Sequence, residues 1–108
     1  MTMKPQTPIQ RIQRAICQHY GINVADLLSR RRPQPLARIR QLAIWAAVQV
    51  TPTYQQSTIG PAFARTRGDV IYSAQKVKDA ADTNKHMRDE AECVLVLARA
   101  AVDAKEAA

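Results

Sequence analysis

Glycine is scarce in this chain, with three in 108 residues, and aromatic side chains make up only 5%. Sandwiches and barrels need many tight turns. A chain this poor in glycine, with 46% apolar residues and many alanines, reads as helical instead. Long apolar runs are missing too. No stretch approaches the roughly 20 residues that span a bilayer, and the opening MTMKPQTPIQ lacks the apolar core of a secretory signal. The two cysteines, Cys17 and Cys93, lie far apart, each in an apolar helical pattern. Both are expected as reduced core residues of a cytoplasmic protein. No C-x-x-C or H-x-H spacing suggests a metal site. No G-x-x-x-x-G-K-[ST] loop suggests a nucleotide. Neither His19 nor His86 has a nucleophile or carboxylate at a catalytic spacing, so no enzyme and no cofactor are expected.

One further absence is the most informative. Between residues 27 and 68 there is no Asp or Glu, while seven arginines fall there: Arg30, Arg31, Arg32, Arg38, Arg40, Arg65 and Arg67. A solvated surface normally mixes both signs. An acid-free basic stretch builds a positive field, and the commonest reason to keep one is nucleic acid. Residues 1–78 hold 12 basic and 2 acidic side chains, and residues 79–108 hold 4 and 7. The body is therefore cationic and the C-terminal segment mildly anionic.

The chain reads as one domain over residues 8–108 behind a tail of residues 1–7. Thr7 as cap, Pro8 at the first position and Gly21 as stop predict a first helix, with Ile9, Ile12 and Ile16 on one face and His19 also inward. Asn23 caps a short second helix. Residues 29–35 form a loop in which Pro33 and Pro35 stiffen the backbone that presents the arginines. A third helix follows to Val50. Its second half, LAIWAAVQV, is apolar nearly all round, which places it at the centre of a bundle. Its Ile44, Trp45 and Val48 could alternatively form a surface for a protein partner. Residues 51–56 read as a loop and 57–63 as a short fourth helix. A fifth helix is expected behind Asp69 as cap, with Val70, Ala74, Val77 and Ala81 inward and Tyr72, Gln75 and Lys76 outward. A sixth runs over about 85–106, with Met87, Ala91, Val94, Leu95, Ala98 and Val102 as its stripe and Asp89, Glu90 and Glu92 serving its dipole.

Helices four and five, over about residues 57–81, have helix-turn-helix proportions. Arg65 and Arg67 lie at the turn, just before the helix whose first residues would reach base edges. The strings IQRAICQHYGINVADLLSRRR and LARIRQLAIWAA resemble the C-terminal DNA-binding domain of the bacterial replication initiator DnaA. The resemblance continues through IGPAF and VIYSAQKV. It implies an all-α, six-helix, Trp-repressor-like bundle containing a helix-turn-helix. It also implies two contact surfaces on double-stranded DNA. The basic loop, with Arg32 at the matching position and Arg30 and Arg31 beside it, would enter a minor groove. The A-R-x-R-Q motif places Arg40 and Gln41 on the DNA backbone, and the turn and fifth helix would read a major groove.

The recognition segment departs from the family. Where the signature is G-G-R-D-H-T-T-V, this chain has A-R-T-R-G-D-V, residues 64–70, one residue shorter. Only Arg65 and Val70 match. DNA binding carries over on the motifs of the first half; recognition of the DnaA box does not. Arg67 suits a bidentate contact to guanine, or a phosphate. The expected DNA contacts are Arg30, Arg31, Arg32, Arg40, Gln41, Arg65, Thr66, Arg67, Tyr72 and Lys76. The expected protein is a free-standing, nucleoid-associated regulator of replication or transcription without an ATPase. A homodimer or other protein partner stays open. The rival expectation is a protein-interaction module, using the Trp45 side or the acidic last helix.

Overall fold

Thr7 opens the first helix through a reciprocal pair of hydrogen bonds. Its Oγ1 accepts from the Gln10 N–H at 3.1 Å, and Gln10 Oε1 accepts from the Thr7 N–H at 3.0 Å. A computed structural model describes residues 7–31 and 33–103. The helix so opened, α1, runs Pro8–Tyr20 and ends at Gly21, whose φ of +70° is the left-handed conformation that glycine adopts without strain. Asn23 Oδ1 accepts from the Asp26 N–H at 2.7 Å and starts α2, Val24–Leu28. Then come α3 (Leu36–Val50), a 3-10 turn at Thr53–Thr58, α4 (Ile59–Ala62), α5 (Arg67–Thr83) and α6 (Lys85–Asp103). No strand occurs among the described residues. The tail to residue 6 and the continuation of α6 towards 106 lie outside them.

The apolar run of α3 occupies the centre, as its pattern requires. Ile39, Leu42, Ala43, Ile44, Ala46 and Ala47 are all buried, and α3 packs against α1, α5 and α6. Each fully buried Ile or Leu stabilises the fold by about 1.5–3 kcal/mol relative to exposure. Of the alternative partner surface, one residue is fully buried and two are half-buried. Ile44 is 1% exposed, and Trp45 and Val48 pack against the core.

Charged groups brace the seams. Glu90 on α6 accepts from the Tyr20 hydroxyl at 2.8 Å and pairs with Arg38 Nε at 3.1 Å, joining α6 to α1 and α3. Arg11 Nε donates to the Ala101 carbonyl at 3.0 Å, so a cation meets the C-terminal turn of α6, where the dipole favours it. Gln13, buried on α1, donates from Nε2 to the Ala62 carbonyl at 2.9 Å and anchors α4.

The structure departs from the sequence expectations in several places, each with a local cause. The segment expected as a loop before α4 is wound into the 3-10 turn, held by Gln56 Nε2 donating to the Thr51 and Val48 carbonyls at 2.6 and 3.1 Å. This leaves α4 shorter than expected. Thr66, not Asp69, caps α5. Thr66 Oγ1 accepts from the Asp69 N–H and Asp69 Oδ2 accepts from the Thr66 N–H, each at 3.1 Å. Moving the start of the helix back leaves its register intact, yet Ser73, rather than Ala74, joins Val70 and Val77 in the core. His19 and Cys93 are both exposed, at the rim of the α1–α6 seam with Nε2 and Sγ 4.0 Å apart. The first turn of α6 holds no acid. Asp89 pairs with Lys85 at 3.0 Å and Glu90 serves the brace.

The Tyr20 phenol has its pKa raised above 10.0 by burial first, then by its hydrogen bond to Glu90 and the charge of that group. A raised folded value means a contribution present below pH 10.0 and lost as pH climbs through the folded value. Tyr20→Phe is expected to lower stability by about 1 kcal/mol at neutral pH. The gap between the two proteins should close at strongly alkaline pH, as read by urea denaturation at stepped pH.

Candidate nucleic-acid interface

Residues 29–31 carry no regular secondary structure, so their carbonyls need partners from elsewhere. Two arginines supply them. Arg40, on α3, is 7% exposed. It donates from Nε to the Leu27 carbonyl at 2.8 Å, from one terminal nitrogen to the Arg31 carbonyl at 2.9 Å, and from the other to Asp26 at 3.2 Å. Arg65, in the turn before α5, donates to the Ser29 carbonyl at 2.6 Å and to Leu28 at 3.4 Å. The loop is thus fastened from beneath by α3 and from the side by the helix-turn-helix. Ser29 Oγ adds a local tie, donating to the Asp26 carbonyl at 2.7 Å and accepting from the Arg31 N–H at 3.3 Å.

The turn itself depends on a close approach. The Arg65 N–H donates to the Gly60 carbonyl at 2.8 Å, and a Cβ on Gly60 would stand 2.8 Å from the Arg65 oxygen. Any larger residue there would push the turn off α4. Ala64 takes a φ of +54° to complete it.

These ties bring Arg30, Arg40, Gln41, Arg65 and Tyr72 of the sequence-predicted residues together. A groove of about 390 Å3 is lined by Arg30 from the loop, Arg40 and Gln41 from α3, Arg65 from the turn, and Asp69 and Tyr72 from α5. Thr66 and Arg67 are exposed at the start of α5. Tyr72 is 60% exposed, and Lys76, a turn further on, holds its ammonium 5.8 Å from the Tyr72 ring centroid, a cation–π arrangement. Arg30 and Arg31 are exposed, and Arg32 lies outside the described residues. Arg40 is a different case from the rest. The A-R-x-R-Q resemblance implied a DNA-backbone contact for it, but its guanidinium turns into the loop and is buried there. Arg38 faces away from the groove and is held by Glu90.

The electrostatics follow from this crowding. The Arg40 pKa is lowered by burial and then by neighbouring Arg65; that of Arg65 is lowered by burial and then by Arg30, with Asp69 opposing. Both stay charged, since guanidinium does not titrate in a protein. Asp69 has its pKa held below 3.8 by its hydrogen bonds with Thr66, and also by Arg65 and Arg30. It was expected only as a cap. The structure also makes it the one acid lining this groove. The T-x-x-D spacing of Thr66 and Asp69 was the signal for the capping pair; the groove position follows only from packing. Ile71, 59% exposed, stands beside Tyr72 on α5.

Lysine cannot replace the fork of Arg40, because one ammonium cannot meet carbonyls on both sides of the loop. Arg40→Lys is expected to lower stability by about 1.5–3 kcal/mol and to move the amide resonances of residues 29–31. Chemical denaturation and NMR would check both.

Comparison with known proteins bears on this geometry. The family described as bacterial dnaA protein helix-turn-helix matches residues 9–77. A chromosomal replication initiator protein DnaA of Psychromonas ingrahamii is 34% identical over 86 residues, covering 79% of this chain and 19% of that protein. One from Sphingopyxis alaskensis is 38% identical over 77 residues, covering 69% and 17%. The chain therefore spans under a fifth of the length of these relatives. The matched region holds the arginine loop, both fastening arginines and most of α5, and on that match the chain belongs to the bacterial DnaA helix-turn-helix family.

Proposed function

We propose that this chain binds double-stranded DNA with the arginine loop and the start of α5 on adjoining grooves. One observation carries the reading: Arg40 and Arg65 tie the arginine loop to the turn before α5, and Arg30 from the loop lines one groove with Arg65, Gln41 and Tyr72. Preset geometry reduces the ordering cost that flexible basic side chains would otherwise meet on binding. In this reading Arg30 and Arg31 contact phosphates and the minor groove, and Gln41 holds the backbone beneath them. Thr66, Arg67 and the first turn of α5 enter the major groove, with Tyr72 and Lys76 against the flanking strand. Arg40 and Arg65 act mainly by holding this surface in shape. Membership of the DnaA helix-turn-helix family supports the same reading.

Because residues 64–70 depart from the family signature, carrying Thr66, Arg67, Gly68 and Asp69, recognition of the DnaA box does not carry over, and the chain binds either its own sites or DNA in general. The physiological role we infer is regulation of replication or transcription by occupancy of DNA sites, without nucleotide hydrolysis by these 108 residues.

Fluorescence anisotropy at two salt concentrations, with duplexes with and without a DnaA box, tests the proposal. The logarithm of affinity should fall linearly with that of salt. The double variant Arg30→Ala with Arg31→Ala should bind more weakly and lose about 0.9 of slope per phosphate contact removed, with its circular dichroism unchanged. An affinity indifferent to salt and to both arginines would sink the reading.

A further inference from the structure

Two helices of this chain carry a run that is apolar nearly all round. That of α3 lies at the centre of the bundle, between α1, α5 and α6. That of α6, CVLVLARAAV over residues 93–102, holds Arg99 as its one charged residue. A helix apolar on every side is normally buried on several sides, and this one is covered on one. Val94, Ala98 and Ala101 are buried, and Leu95, Leu97 and Val102 are half-buried. On the outer side Cys93, Val96 and Ala100 face solvent, Val96 at 66% exposure. Their spacing of three and four residues sets them in a single stripe. Of the other exposed large apolar side chains, Ile71 and Tyr72, both belong to α5, and no residue of α6 lines the basic groove.

The charges beside the stripe identify what covers it. At about 3.6 residues per turn, Arg88, Glu92, Arg99 and Asp103 fall on one flank of Val96, and all four are exposed. About a centre between Leu95 and Val96 they are placed symmetrically. Glu92 and Arg99 stand three and a half positions to either side, and Arg88 and Asp103 seven and a half. Each pair is one anion and one cation. A second α6 laid antiparallel about that centre therefore meets Glu92 with Arg99 and Arg88 with Asp103, and two-fold symmetry makes each pair twice. A parallel copy would set like charge against like. The other flank holds Cys93 and Ala100, short side chains that leave room for two helices to approach. The remaining charges of this side are engaged within the chain: Asp89 pairs with Lys85 at 3.0 Å, and Glu90 turns to Tyr20 and Arg38. Arg88 Nε donates to the Ala81 carbonyl at 3.0 Å, which steadies its guanidinium.

We propose that the chain pairs with a second copy of itself through the outer face of α6, antiparallel, with the two-fold axis between Leu95 and Val96. Val96 is the apolar centre of the contact, and the flanking charges fix its direction and register. One helix against one helix is a small interface, so the pair forms and separates reversibly. α6 lies beyond the residues 9–77 that match the DnaA family and outside the basic groove, so pairing and DNA binding are separate properties of the chain.

Sedimentation equilibrium of the whole chain, without DNA, tests the pairing apart from the proposed function. The average mass should rise with concentration towards that of two chains, with a dissociation constant of about 1–100 μM. Val96→Glu should raise that constant about tenfold or more, because it sets two carboxylates beside the axis. Glu92→Arg and Arg99→Glu should each raise it about threefold or more, since like charges then face one another. Both exchanges in one chain should restore the native constant. An equimolar mixture of the two single variants should pair more tightly than either does with itself, a rescue that a helix merely disturbed by substitution would not show. Circular dichroism of each variant should match the native chain. A mass of one chain up to about 1 mM overturns the inference, and the stripe is then left to a different protein. Pairing untouched by Val96→Glu overturns it as well, because the contact lies elsewhere. Charge exchanges without effect, or a mixture that pairs no better than its parts, remove the antiparallel register and the inference with it.

Discussion

One buried and one half-buried guanidinium, Arg40 and Arg65, and the carbonyls that satisfy them set the shape of this protein's basic face. A guanidinium taken out of water is costly unless its N–H groups find acceptors. Arg40 and Arg65 find theirs on main-chain oxygens of residues 26–31. The dependence runs both ways. The loop has no ladder of its own, and the arginines supply the donors it lacks. Since guanidinium does not lose its proton in the ordinary pH range, the arrangement has no acid or alkaline switch near neutrality. It also explains why like charges can be tolerated side by side: Arg30, Arg40 and Arg65 repel one another, and hydrogen bonds to neutral oxygens outweigh that repulsion.

The rest of the bundle keeps its opposite charges away from this face. Glu90 is taken by Tyr20 and Arg38, and Asp89 by Lys85. The anionic α6 therefore lies against α1, α3 and α5 as a structural partner, and no carboxylate of α6 lines the basic groove. The acid that does line it is Asp69, already engaged as a cap.

Much of this was legible from residues alone. Thr7, Pro8 and Gly21 mark α1 because caps and stops act within a few residues, and Asn23 marks α2 for the same reason. The all-round apolar run of α3 announced its burial. The start of α5 was misplaced although its signal was present: Thr66 and Asp69 form the reciprocal pair, and reading Asp69 alone as the cap overlooked its partner three residues earlier. Arg40 could not be placed by periodicity. Its direction is decided by the path of a loop nine to fourteen residues away in sequence. Cys93 and His19 show the related limit that an apolar pattern marks which face of a helix turns inward, while the width of the covered strip depends on the neighbour. The groove around Arg30 and Tyr72 joins segments over forty residues apart, and only their packing creates it.

Holding a loop by main-chain oxygens has an evolutionary corollary. Every amino acid carries a carbonyl, so the contour of residues 30 and 31 does not depend on which side chains stand there. Lineages can rewrite those two letters without penalty to folding, while Arg40 and Arg65 must persist. Contour and side-chain content of the tip are therefore set by different residues of one scaffold.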